Sequence, residues 1–88
     1  MEIILLDGRK MTSRDKMYDY LEETMRFPDY FGHNLDALND CLSELGEDVV
    51  IVLYNVADMQ ENLGRYADRV LSVMGTAAEE TGFVFLVR

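Results

Sequence analysis

Three short apolar runs punctuate this chain, at Glu2–Leu6, Val49–Tyr54 and Gly82–Val87. The second reads Val-Val-Ile-Val-Leu-Tyr and the third contains Phe-Val-Phe-Leu-Val, β-branched or aromatic throughout and without polar alternation. Continuous apolar strands predict a parallel sheet buried under helices. The intervening segments carry helical spacing. Ser13 is suited to cap a helix running to about Met25, with Met17, Tyr20, Leu21 and Met25 on one stripe. Asn34 is a good cap for a second helix ending near Leu45, with Gly46 where a terminating glycine belongs. A short helix is expected over Asp58–Leu63 and a longer one from about Arg65 to Glu80, placing Tyr66, Val70, Val73 and Ala77 together.

The resulting order is β, helices, β, helices, β. Two right-handed crossovers then build a three-stranded parallel sheet, with strands near 2–6, 49–54 and 82–87, packed with three to four helices. Eighty-eight residues make one α/β domain, 1–88, large enough for a modest core. The single proline, Pro28, ends the first helix by disfavouring helical backbone at Phe27. The loop that follows is unusually apolar, carrying Phe27, Tyr30 and Phe31.

A helical wheel at about 100° per residue gathers Leu35, Leu38, Cys41, Leu42 and Leu45 into one sector, which must face the sheet. Asp36, Asn39, Asp40 and Ser43 fall opposite, with Glu44 at the edge. Asp36 and Asp40 are an i, i+4 pair of like charges, unfavourable by a few tenths of a kcal/mol. Asp36 is partly offset by the helix dipole in the first turn, but Asp40 is not.

Charge sharpens this picture. Seventeen acids against eight bases give a net charge of −9, which argues against direct nucleic-acid binding. Phe27–Gly64 contains no Lys or Arg but carries Asp29, Asp36, Asp40, Glu44, Glu47, Asp48, Asp58 and Glu61. Such a face attracts a basic partner, although acidic surfaces also simply keep proteins soluble. Aromatic residues leading into an acidic face match the chemistry of protein interfaces, with Tyr30 and Phe31 expected to flank Asp36 and Asp40.

The run Phe27-Pro28-Asp29-Tyr30-Phe31-Gly32-His33-Asn34-Leu35-Asp36-Ala37-Leu38-Asn39-Asp40-Cys41-Leu42 resembles the signature of the barstar family, small intracellular inhibitors of secreted bacterial ribonucleases of the barnase type. The likeness is collinear over nearly the whole chain and strongest over these sixteen residues. It implies that the loop and second helix plug a ribonuclease active site, with carboxylates standing in for substrate phosphates. By position, Asp40 would be the main phosphate mimic and Asp36 would meet a second basic group. Tyr30 would cover the catalytic imidazole, Gly32 and Asn34 would offer backbone and amide contacts, and Phe31 would support the loop. Asn39, Ser43, Glu44 and Thr76 complete the expected contact set. Two positions depart from the family's inhibitor prototype, which has tryptophan at Asn39 and an acid where collinear counting reaches Thr76. Glu79 or Glu80, about one turn further on, could substitute for that acid. Two readings of the partner stay open, a basic ribonuclease or a different basic protein, a toxin or a regulator.

The remaining candidates are weaker. Cys41 is the only cysteine, so no intramolecular disulfide can form and a reducing, cytoplasmic setting is expected. Its expected role is an inert thiol at the edge of the core. The lone His33 beside scattered carboxylates lacks the spacing of a metal site, and a loop-surface role is expected. No motif assembles a nucleophile, base and oxyanion site, so no enzyme activity and no cofactor are expected. Neither a signal peptide nor a membrane span is visible, and a monomer is favoured.

Overall fold

The computed structural model describes residues 1–88. The elements are β1 (Glu2–Asp7), a 3₁₀ turn (Gly8–Lys10), α1 (Arg14–Met25), α2 (Leu35–Leu42), β2 (Val49–Tyr54), α3 (Val56–Leu63), α4 (Arg65–Thr81) and β3 (Val84–Val87). The three strands form one parallel sheet in the order β1-β2-β3, the expected α/β architecture. No helix is long and apolar enough to cross a membrane.

The helices start and stop where local chemistry directs. Ser13 Oγ accepts the Lys16 N–H at 3.2 Å to open α1. Arg26 closes α1 in the left-handed conformation at φ 58°, sending the chain into Phe27-Pro28. Asn34 Oδ1 accepts the Ala37 N–H at 2.8 Å to open α2. Gly82, at φ 98°, closes α4 as a glycine should.

Three boundaries differ from expectation. Helix α2 ends at Leu42 rather than near Leu45, and Gly46 takes no part in its termination. Its last turn tightens through Glu44 N–H to Cys41 C=O and Leu45 N–H to Leu42 C=O, the i→i+3 pattern common at helix ends. The Ser43 hydroxyl also donates to the Asn39 carbonyl at 2.8 Å. Helix α3 begins two residues early, at Val56, and β3 begins at Val84 because Gly82 and Phe83 complete the turn out of α4.

Strand register sorts the apolar runs into two faces. Ile4, Ile51 and Phe85 form one row and Leu6, Leu53 and Val87 the next; Ile4, Leu6, Ile51 and Leu53 are buried beneath the helices. Helix α2 is fastened to this layer by Leu38 and Leu42, both wholly buried. At ~1.5–3 kcal/mol for each buried leucine, this packing outweighs the ~1 kcal/mol of its Asn34 cap. Leu35, Cys41 and Leu45 are half-buried at the margins of the same stripe.

The sheet's other face is a correction to the expectation of a sheet buried by helices. There Ile3 is 60% exposed, Leu5 56% and Val84 44%. The cause is topological. Strand order β1-β2-β3 steps in one direction, so crossovers of one hand lay every helix on the same side. Apolar runs alone do not distinguish one covered face from two.

A polar knot ties the C-terminal ends of β1 and β2. The Asp7 side chain is buried, and its Oδ1 accepts from the Arg9 N–H and Asn55 Nδ2, each at 3.0 Å. The Arg9 guanidinium adds bonds of 3.2 Å and 3.0 Å to Oδ2, while the Asp7 N–H donates to the Tyr20 hydroxyl at 2.9 Å. The Arg9 and Asn55 hydrogen bonds hold the Asp7 carboxyl well below the usual carboxylate range. Gly8 is required beside it, since a Cβ there would lie 2.2 Å from the Asn55 carbonyl oxygen.

Candidate functional site

The loop from Phe27 to Asn34 separates its aromatic residues by depth. Phe31 is only 7% exposed and packs against Phe27 and Tyr18, with ring centroids 4.9 Å and 5.9 Å away. Tyr30, its neighbour, is 88% exposed. The Phe31 N–H closes a turn on the Pro28 carbonyl at 2.9 Å, and the turn sends Phe31 inward as the loop's anchor while Tyr30 at its tip is presented to solvent. Of the two aromatics expected to flank Asp36 and Asp40, Tyr30 lies beside Asp40, whereas Phe31 lies beneath the surface.

His33 secures the other end of the loop. Its ring stacks on Tyr18, with centroids 5.6 Å apart and planes inclined by 21°. Its Nε2 lies 3.0 Å from Glu22 Oε1 and its Nδ1 4.0 Å from Asp19 Oδ1, both on α1. It thus faces α1 rather than the acids of α2. Beneath it, burial and the hydrogen bond to Tyr66 push the Tyr18 phenol above its usual pKa.

Beyond Gly32, the Asn34 N–H returns to the Gly32 carbonyl at 2.7 Å, and the chain turns directly into α2. A Cβ at Gly32 would come within 3.2 Å of Asn34 Nδ2, so a small residue suits the turn. Asn34 spends its side-chain oxygen on the cap, leaving its amide NH₂ as a donor.

Along α2, Asp36 and Asp40 are exposed, Asn39 is half-buried, and Ser43 and Glu44 are exposed in the terminal turn. Tyr30, Asp40 and Glu44, together with Pro28 and Cys41, line a shallow recess of about 90 Å³. The loop and the helix thus converge on an exposed aromatic ring with two carboxylates. Neither aspartate has an ion-pair partner within the chain. Burial and then the Glu44 and Asp40 carboxylates push the Cys41 thiol up, so it stays protonated and unreactive.

Thr76 is exposed on α4, the helix packed against α2. It lies one turn beyond Ser72, which shares a second groove with Leu35, Asp68, Arg69 and Val73. Glu79 and Glu80 lie exposed a further turn along. Arg69 is a base near the start of α2 that no reading of residues 27–64 could reveal. The helical spacing of Asp68, Arg69 and Ser72 on the margin of the α4 stripe was the available signal.

Comparison with known proteins identifies the family. The sequence profile of the Barstar (barnase inhibitor) family matches residues 1–88. A protein of Bacillus subtilis (strain 168) named "Putative ribonuclease inhibitor YrdF" is 42% identical over 81 residues, covering 91% of this chain and 89% of the relative. The chain belongs to the barstar family.

Proposed function

We propose that this barstar-family chain inhibits a basic ribonuclease of the barnase type by inserting the loop and helix of residues 27–44 into its active site. The reading rests on one observation above the others, the meeting of Tyr30, Asp40 and Glu44 around a recess with no cation bound to either aspartate of α2. A ribonuclease active site must hold cationic groups to bind phosphate. Asp40 supplies an acceptor for charge-assisted hydrogen bonds from those groups, and Asp36, one turn earlier, meets a second cation at the rim. Tyr30 lays its exposed ring against the catalytic imidazole, while Gly32 and the Asn34 amide contribute polar contacts. Phe31 acts from below by holding Tyr30 in position. Asn39, Ser43, Glu44 and Thr76 form the rim. The chain acts by occupancy, with no turnover of its own, and the net charge of −9 speeds encounter with a basic target.

The test is direct. Mixing the purified protein with a barnase-type ribonuclease should abolish RNA cleavage at a one-to-one ratio; unchanged turnover at excess protein counts against that enzyme as the target. Asn39 and Thr76 favour a second reading, in which the same surface binds a different basic protein. Affinity capture from the native lysate, with Asp36→Lys/Asp40→Lys as the control, separates the two. A captured partner without nuclease activity supports the second reading.

A further inference from the structure

One residue of α1 grips both ends of the loop that carries Tyr30. At the entry, the Arg26 and Phe27 N–H groups donate to the Glu22 carbonyl, the latter at 3.0 Å. At the exit, the Glu22 carboxylate lies 3.0 Å from His33 Nε2. A carboxylate only accepts, so Nε2 carries the hydrogen and the ring donates. The other ring nitrogen is 4.0 Å from Asp19 Oδ1, beyond hydrogen-bond reach. Residues 27–33 are thus closed into a ring through a single side chain, in a bond whose partners are 35% and 33% exposed. Tyr30 is 88% exposed and takes its position from the backbone that carries it.

We propose that Glu22 is a positioning residue for inhibition. Through His33 it holds the loop closed in the free chain, so that Tyr30 and the start of α2 meet the ribonuclease already in place. The proposal rests on the inhibitory reading given above. Glu22 lies on α1, outside residues 27–44, and does not touch the partner. It acts on the fraction of free chain whose loop is competent to bind, and apparent affinity falls in proportion to that fraction. His33 has a second hold, its stack on Tyr18, so the hydrogen bond can be removed without removing the ring.

The charge-matched pair Glu22→Gln and Glu22→Ala isolates this clasp. Both remove one negative charge and so slow electrostatic encounter equally. Only glutamine keeps an oxygen to accept from His33 Nε2. Glu22→Ala should bind the ribonuclease about 3- to 10-fold more weakly than Glu22→Gln, the equilibrium equivalent of one hydrogen bond. The loss should fall on the association rate, since dissociation starts from a loop the partner already holds. His33→Phe, which keeps a ring on Tyr18 without the N–H, should match Glu22→Ala, and the double variant should be no weaker than either alone. In the free chain, the Phe31 and Asn34 N–H groups, which close turns on the Pro28 and Gly32 carbonyls, should exchange with solvent faster in Glu22→Ala than in Glu22→Gln by the same factor. Equal affinities for the two Glu22 variants overturn the proposal, as do losses that multiply in the double variant. A loss confined to the dissociation rate overturns it too, because it makes Glu22 a direct contact. A parent chain that inhibits no ribonuclease overturns the inhibitory reading instead. The exchange comparison then decides the clasp by itself, and equal exchange in the two variants refutes it.

Discussion

Replacing Phe31 by alanine removes a ring that is only 7% exposed and lies against Phe27, Tyr18 and His33. A buried phenylalanine removes ~150–250 Å² from water. Losing all of that beyond the alanine methyl costs about 3 kcal/mol at ~25 cal/mol per Å². Lost ring–ring contacts add to this, whereas collapse of the surface loop into the gap subtracts, so about 3 kcal/mol stands as the expectation. An 88-residue domain has ~4–13 kcal/mol in total, so Phe31→Ala should fold but melt about 15 °C lower. Tyr30→Ala is the counterpart. That ring is 88% exposed, and its loss should change stability by no more than ~0.5 kcal/mol. Urea unfolding followed by circular dichroism measures both, and titration against the ribonuclease measures binding. Phe31→Ala should be mainly a stability variant and Tyr30→Ala mainly a binding variant. Equal stabilities for the two would refute the division of labour between these neighbours.

Other perturbations probe the frame around the site. Asp7 has a depressed pKa in the folded chain, so its contribution is fully present above its unfolded value near 3.8 and is lost as pH falls below that value toward its folded pKa. Urea midpoints between about pH 5 and 2 should therefore converge for the parent and Asp7→Asn as pH falls; a constant gap would contradict this. Gly8→Ala would put its methyl into the Asn55 carbonyl and should lower stability by at least ~2 kcal/mol in the same assay. Asn34→Ala removes the α2 cap and should cost about 1 kcal/mol, whereas Asn34→Asp should keep most of it.

Much of this fold was legible because local signals agreed with the global arrangement. The Val49–Tyr54 run became β2 without shift, and Ser13 and Asn34 capped the helices they were expected to cap. The acids of α2 emerged on the exposed side because Leu38 and Leu42 fixed its rotation. What stayed hidden depended on tertiary partners. Asp7 reads as an acid ending a strand, and only Arg9 and the distant Asn55 make it a buried knot. Tyr18 is off the stripe assigned to α1, yet it is buried because the loop supplies Phe31 and His33 to cover it. Likewise, Tyr30 and Phe31 are interchangeable on paper until the path of the loop sends one inward. Apolar strands could not announce that one side of the sheet would stay bare.

The central claim is that the α2 carboxylates meet the cations of a ribonuclease, and Asp40 tests it most directly. Inhibition of RNA cleavage by the parent chain, Asp40→Ala and Asp15→Ala should be compared at matched, low enzyme concentration. Asp15 is an equally exposed acid in the first turn of α1, outside the 27–44 segment. The account predicts that Asp40→Ala loses at least ~100-fold in affinity, because removing one member of a desolvated ion pair strands the other. Asp15→Ala should remain within a few-fold of the parent. Equal inhibition by all three would contradict the account and remove α2 from the mechanism.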